Sequence, residues 1–352
     1  MRKVLLRFVF DNFWQWQSVG NELHVGVAWL MLLWTAIVGS AFFIVYRRTK
    51  SAAESAMSAG LWLIVPAVLG AIAFFKPDIA IAKSGIPVFG YGLMMFVGFS
   101  VATLLASRRV CFIGQPPDVI WDMMMWVLIP GLIGARATYL VQNWDRVFAG
   151  KQGTDFLLTF VALWDGGIVF LGGVIGGIVG IVIFCKRREI NPIALCDVIA
   201  PSLFVGEGFG RLGCFLYGCC FGRACDLPWA VQFPPDSLTF DKLVERGTIP
   251  QDALMTIPLH PTQLYSSFAA FVLAGILAWF FRRRPFDGAT MALAAILYGI
   301  SRFSLEILRD DEPPRWGTGL TFSQLMGIGL VVTGVGLMVW CSRRKTLTRA
   351  SS

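Results

Sequence analysis

Residues 262–284 read TQLYSSFAAFVLAGILAWFFRRR. A polar opening gives way to an apolar run from Phe268 to Phe281, which stops on Arg282, Arg283 and Arg284. Apolar sequence of roughly 20 residues reads as a spanning helix, because lipid offers no partner for unpaired backbone. The same pattern recurs along the chain. Nine segments are expected, at 25–46, 57–75, 87–107, 119–141, 166–185, 193–212, 262–281, 287–308 and 321–342. Every odd segment ends in positive charge: Arg47-Arg48 with Lys50, Arg108-Arg109, Lys186-Arg187-Arg188, the three arginines above, and Arg343-Arg344-Lys345. Positive charge flanking a span marks its cytoplasmic end. The N-terminus is therefore expected outside and the C-terminus inside, as an odd number of spans requires. The stretches 142–165, 213–261 and 309–320 then face outward.

Composition agrees. Of 352 residues, 56% are hydrophobic and 15% charged. A soluble domain averages nearer 45–50% and about 25%, and disorder needs few apolar residues. The net charge of +8 does not point to nucleic acid, since the basic residues sit in short clusters between apolar runs. At the N-terminus, Arg7 and Asp11 interrupt the apolar stretch and no small-x-small cleavage site follows. Residues 4–17 read as an interfacial segment, not a cleaved signal. The expected fold class is all-α: a polytopic membrane bundle of about nine transmembrane helices. Residues 1–85 carry the interfacial segment and two added helices, 86–342 a seven-helix core with its outward loop at 213–261, and 343–352 a cytoplasmic tail.

Ionisable groups at membrane depth cost at least ~2.5–3.5 kcal/mol each and are read first as functional. Arg136 lies in the fourth segment, Asp197, Glu207 and Arg211 in the sixth, and Arg302, Glu306 and Arg309 in the eighth. Glu306 follows Arg302 by four residues, on one helix face. One reading is an interfacial ladder of ion pairs. The other is convergence of Arg136, Arg211 and Arg302 on an anionic lipid headgroup, for which the planar guanidinium suits phosphate. Glycines crowd these charges. The run from Gly172 to Gly180 reads as close helix packing. The run Gly206, Gly208, Gly210, Gly213, Gly218, Gly222 reads as a broken or re-entrant segment lining a cavity.

The order of several motifs resembles the bacterial prolipoprotein diacylglyceryl transferases. The signature Gly210-Arg211-Leu212-Gly213 is followed by Gly222-Arg223 and by Leu227-Pro228-Trp229-Ala230-Val231-Gln232-Phe233-Pro234. Trp164-Asp165-Gly166-Gly167 with Gly172-Gly173, His260-Pro261-Thr262-Gln263-Leu264-Tyr265, Tyr298-Gly299 with Arg302 and Glu306, and Tyr91-Gly92-Leu93-Met94 also fit. The resemblance implies a multi-pass enzyme of the bacterial inner membrane. Its partners would be phosphatidylglycerol and prolipoprotein signal peptides carrying a lipobox cysteine, with membrane lipid around it. Carried over residue by residue, Arg211 contacts the phosphatidylglycerol headgroup, Arg302 is the essential arginine of the penultimate helix and Tyr298 its partner. Tyr91, Arg136 and Gly222 match further substrate-binding positions. No cofactor and no resident metal are expected.

Three positions depart from the family pattern. Leu171 stands where a histidine proposed as general base is usual. Cys214 and Cys219 stand where asparagine and glutamate are usual. The thiolate is the nucleophile, so another group must take the thiol proton. Glu207, Glu306 and His260 are the candidates, with Glu306 better suited to holding Arg302. The loss of the histidine also supports an alternative, a catalytically silent lipid-binding protein of the same fold. A redox protein or a transporter has less support: no C-x-x-C unit accompanies the cysteines, and no pair of broken helices repeats in two halves. Cys214, Cys219, Cys220 and Cys225 form a cluster on the outward side. A structural disulfide, packed reduced thiols, a reactive thiol and a metal site all remain open. The gaps of four, zero and four residues differ from common zinc spacings.

Overall fold

The computed structural model describes residues 4–9, 16–19, 22–26, 28–29, 32, 35–36, 86–148, 159, 167, 169–235, 237–309, 319–344 and 346–347. Helices dominate. Those of eight residues or more, among the described residues, are α1 (Gly90–Val110), α2 (Asp118–Gln142), α3 (Phe170–Arg188), α4 (Pro192–Tyr217), α5 (Leu238–Glu245), α6 (Thr262–Phe281), α7 (Ala289–Glu306) and α8 (Phe322–Arg344). The seven long ones fall on the seven expected core segments. Five are long and apolar enough to cross a membrane: Gly90–Ile113, Asp118–Gln142, Pro192–Tyr217, Thr262–Phe281 and Phe322–Arg344. The segments expected at 25–46 and 57–75 lie almost wholly outside the described residues, as does the 149–166 stretch that holds Trp164 and Asp165 apart from Thr159.

The clusters used to infer topology have a local role too. Arg108 and Arg109 end α1, Lys186, Arg187 and Arg188 end α3, and Arg343 and Arg344 end α8. Cations there oppose the negative end of the helix dipole.

The chain divides into two compact units, Met1–Phe96 with Leu212–Gln263 and Val97–Arg211 with Leu264–Ser352. The first contains a four-stranded sheet, which corrects the all-α expectation. Strands β1 (Val4–Val9), β2 (Trp16–Val19), β3 (Glu22–Gly26) and β4 (Ile86–Phe89) lie in the order β2-β3-β1-β4. β1 runs parallel to β3, with Leu6 opposite Leu23 and Arg7 opposite His24, and antiparallel to β4. The segment read as interfacial is thus strand over 4–9 and 16–17. Its valines and aromatics suit a pleated surface better than a helix. The same unit holds a small core of Phe221, Phe233, Phe240, Leu243, Ile249 and Leu259. Here α5 starts at Ser237, whose Oγ accepts from the Phe240 N–H at 3.2 Å, a normal N-cap.

In the second unit, α2 packs on α3 and α7 on α8. Both seams are made by glycine. A Cβ on Gly134 or Gly172 would collide with the facing backbone, and a Cβ on Gly299 would come within 2.5 Å of the Gly327 carbonyl. Pro130 has no N–H for the carbonyl of Trp126, four residues earlier, and Gly180 packs on that carbonyl. Small residues let spanning helices approach this closely.

The broken segment expected over 206–222 is corrected. α4 is continuous from Pro192 to Tyr217, through Gly206, Gly208, Gly210 and Gly213. Close packing accounts for much of its glycine: a Cβ at Gly208 would lie 2.7 Å from the Phe271 ring, and one at Gly213 3.1 Å from that of Tyr91. The helix ends at Gly218, whose φ of +74° places it in the left-handed region. Of the five apolar windows, that of α4 is the most buried, at 56% against 17–33% for the others.

Candidate active site

In the unit formed by Val97–Arg211 and Leu264–Ser352, α4 and α7 bring four of the expected site residues together. Glu207 and Arg211 are one turn apart on α4, and Tyr298, Arg302 and Glu306 lie at four-residue steps along α7. The Tyr298 hydroxyl donates to Glu207 Oε1 at 3.2 Å, and Arg211 Nη2 lies 3.5 Å from the same oxygen. Arg302 Nη2 lies 3.1 Å from Glu306 Oε2 and donates to Ser323 Oγ at 2.6 Å. Arg309 Nε stands 3.5 Å from Glu306 Oε2, and Thr321 Oγ1 donates to Glu306 Oε1 at 3.2 Å.

Among the described residues, the group brings three arginines, Arg211, Arg302 and Arg309, against two glutamates. The ladder reading is therefore true of Glu306 but incomplete for the group. Glu306, 3% exposed, sits between two arginines and holds them. Arginines bordering open space suit an anion, whose oxygens the planar guanidinium can pair. Space for one is adjacent. A cavity of about 670 Å³ is lined by Glu207, Arg211 and Tyr298 at its polar end and otherwise by apolar side chains, among them Met123, Val127, Leu203 and Phe204. A polar end on an apolar cleft suits an amphiphile. A narrow crevice lined by Arg211, Tyr298, Ser301 and Arg302 places both arginines on one surface.

Arg136 is buried elsewhere in this unit. Its guanidinium donates to the carbonyls of Gly167 at 3.0 Å and Thr159 at 2.6 Å and lies over the Tyr139 ring. It does not line the cavity. Leu171 is exposed, near the start of α3. Asp197, read first as functional, is a structural group: it is fully buried, 3.5 Å from Arg284, and both its oxygens accept backbone N–H groups.

Tyr91, Gly222 and His260 belong to the other unit. Tyr91 meets the edge of Tyr217, with ring centroids 6.3 Å apart. The Gly222 N–H donates to the carbonyl of His260 at 3.1 Å, and the His260 N–H to that of Arg223 at 3.0 Å. This pair of backbone hydrogen bonds ties the signature's closing glycine to the segment that leads into α6. In the same unit the Sγ atoms of Cys214, Cys219 and Cys220 lie within 4.8 Å of one another; Cys225 is not among them.

A family model described as prolipoprotein diacylglyceryl transferase matches residues 78–340. The phosphatidylglycerol–prolipoprotein diacylglyceryl transferase of Clostridium tetani is 31% identical over 252 residues, 71% of this chain and 92% of the relative. A Clostridium perfringens protein of that name, numbered 2, is 32% identical over 252 residues, 71% of this chain and 90% of its own. The Pseudomonas aeruginosa enzyme, strain UCBPP-PA14, is 32% identical over 278 residues, covering 76% and 94%. The chain belongs to the prolipoprotein diacylglyceryl transferase family.

Within this family fold, sequence reasoning missed the residues that hold the functional ones. Ser323 and Thr321 come from the start of α8 and fix Arg302 and Glu306. Thr262 and Gln263 clamp the carbonyls of Cys220 and Cys219. Short polar side chains give no periodic signal, so only the spacing of helix ends could have pointed to them.

Proposed function

We propose that the protein transfers the diacylglyceryl group of phosphatidylglycerol to the lipobox cysteine thiol of prolipoproteins, the first step of bacterial lipoprotein maturation. The observation that carries this reading is Arg211 at the polar end of an apolar cavity, with Arg302 beside it on the adjoining crevice. The family names of the relatives supply the substrates. The thiolate sulfur attacks the glycerol carbon that bears the phosphate. The carbon–oxygen bond breaks, glycerol phosphate leaves, and a thioether remains.

Arg211 and Arg302 hold the phosphate and offset the charge that grows on it as it departs, an electrostatic role that needs no motion at the moment of reaction. Tyr298, through Glu207, positions the face of Arg211. Glu207 or His260 takes the thiol proton. Tyr91, Arg136 and Gly222 shape the lipid site, as their family positions suggest. The protein sits in the bacterial inner membrane with about nine spans, its N-terminus outside and its C-terminus in the cytoplasm; the alternation of basic clusters supports that orientation.

Depleting the host transferase and expressing this chain tests the reading. Lipoprotein precursors should regain the diacylglyceryl modification. Precursors left unmodified by an inserted protein would favour the second reading, a silent lipid binder, which the leucine at position 171 supports.

A further inference from the structure

We propose that Cys214, Cys219 and Cys220 form a three-thiolate site for a thiophilic d¹⁰ cation, Cu(I) or Zn(II). The sequence spacing spoke against zinc because it treated the ligands as two pairs. The backbone brings them together differently. α4 delivers Cys214 on its last turn. The N–H groups of Gly218 and Cys219 both return to the Cys214 carbonyl, at 2.9 and 3.1 Å, so the chain folds back over Cys214 as it leaves the helix. The turn needs Gly218 at φ +74° and forces Cys220, which has a Cβ, to φ +61°. A non-glycine residue in that region is uncommon, and such strain collects at ligand sites.

The sulfurs are already close to a ligating arrangement. Metal–sulfur bonds of about 2.3 Å set three ligating sulfurs about 4 Å apart. Here they lie within 4.8 Å of one another. The backbone behind them is held: Thr262 Oγ1 donates to the Cys220 carbonyl at 2.9 Å and Gln263 Nε2 to that of Cys219 at 2.6 Å. Second-shell bonds of this kind orient metal ligands. A Cys219–Cys220 disulfide fits less well, since adjacent cysteines have Cα atoms only about 3.8 Å apart, below the usual span for a bridge, and any pairing within the three would leave one thiol over.

Soft thiolates select Cu(I) and Zn(II) over harder cations. Three sulfurs complete a trigonal Cu(I) site, whereas Zn(II) would add a water. Each thiol that ligates releases one proton to solvent.

The test uses the full chain in detergent, reduced and handled without oxygen. It is titrated with Cd(II), as a visible stand-in for Zn(II), and separately with Cu(I). A thiolate-to-metal charge-transfer band should saturate at one ion per chain. In the wild-type protein the metal should protect Cys214, Cys219 and Cys220 from alkylation while Cys225 still reacts, as read by peptide mass. Serine at any of the three should weaken binding on the order of 10–100-fold, and Cys225→Ser should not. Absence of the band, protection that misses any of the three, or a disulfide among them in the protein as isolated would overturn the site. The readout is independent of diacylglyceryl transfer, so it can fail while the enzyme reading stands.

Discussion

α7 carries an arginine–carboxylate network at each end, and the two differ in what their charges face. At its start, Arg284 lies 3.5 Å from Asp197 and 3.8 Å from Asp287. Asp197 accepts the N–H groups of Gly288 at 2.8 Å and Met291 at 2.8 Å, and Asp287 accepts from Asn191 Nδ2 at 3.0 Å. The carboxylate of Asp197 thus caps the amino end of α7, where the helix has N–H groups without intrahelical partners and a positive dipole end. No cavity opens on it among those described. About 15 residues on, roughly 20 Å along the axis at the α-helical rise, Tyr298, Arg302 and Glu306 join Glu207, Arg211 and Arg309. Of that group, Glu207, Arg211 and Tyr298 line the apolar cavity and Arg302 the crevice beside it. The Asp197 end is sealed, its side chains 0–4% exposed, whereas Glu207, Arg211 and Arg302 are partly exposed. Open space beside a charge marks the candidate site.

The largest effect should come from the open network. Arg302→Ala or Arg211→Ala should lower transfer on the order of 10³-fold, the scale of removing one charge-stabilising donor, while the protein still inserts. Arg302→Lys keeps a cation for Glu306 but loses the planar fork, so it should stay folded and remain strongly impaired. Turnover of phosphatidylglycerol with a lipobox peptide measures both. Activity near wild type in either alanine variant removes that arginine from the site.

Breaking the closed network should do the reverse. Asp197→Ala leaves Arg284 buried without its main partner, a change that costs about 3–5 kcal/mol. Thermal unfolding in detergent should fall well below wild type, and membrane levels with it. Transfer per folded molecule should stay near wild type. Loss of specific activity in a protein of normal stability would mean that the two ends are coupled.

This division was partly legible in the sequence. The seven core helices followed from apolar runs, the odd-numbered ones ending in basic residues, and Arg211, Glu207, Tyr298 and Arg302 were found from intramembrane charge and motif order. The misread charges have one cause: a sequence shows which charges exist but not which are paired. Asp197 looked like a functional charge because its partners, Arg284 and the α7 N–H groups, lie about 90 positions away. Arg284 looked like a topology signal alone. The glycine run of α4 looked like a break because glycine weakens an isolated helix, whereas here neighbouring rings fill the space a Cβ would need. The N-terminal strands were missed because their pairing joins β1 to β4 across about 80 residues.

Between the two networks, α7 rests on α8 through Gly299 and Gly327. A Cβ at Gly299 would press on the Gly327 carbonyl and on Val331, so Gly299→Ala should cost about 1–3 kcal/mol by overpacking. Because the seam supports both ends, this variant should lose stability and activity together. Unfolding and turnover measured on the same sample would show whether they part; if they do, the seam supports only one network.

The smallest effect sharpens the role of Glu207 inside the open network. Its Oε1 accepts from Tyr298 and faces Arg211, so it can be an anchor for those groups or the acceptor of the thiol proton. Glu207→Gln keeps an acceptor for Tyr298 and removes the basic oxygen. If Glu207 is the base, turnover should fall at least about tenfold at neutral pH, the lower range for losing a placed base. It should recover in part as pH rises toward the ordinary thiol value of about 8.5, where the substrate ionises by itself. If Glu207 only anchors Arg211, the variant should raise KM for phosphatidylglycerol with no such recovery. His260→Ala run in parallel decides between the two candidates, since only the true base should show the pH rescue. Leu171→His completes the set. The side chain is exposed on α3, so the change should leave folding and activity intact. An inert native protein made active by that one histidine would show that the base was lost with it, and that the arginines of α4 and α7 serve binding alone.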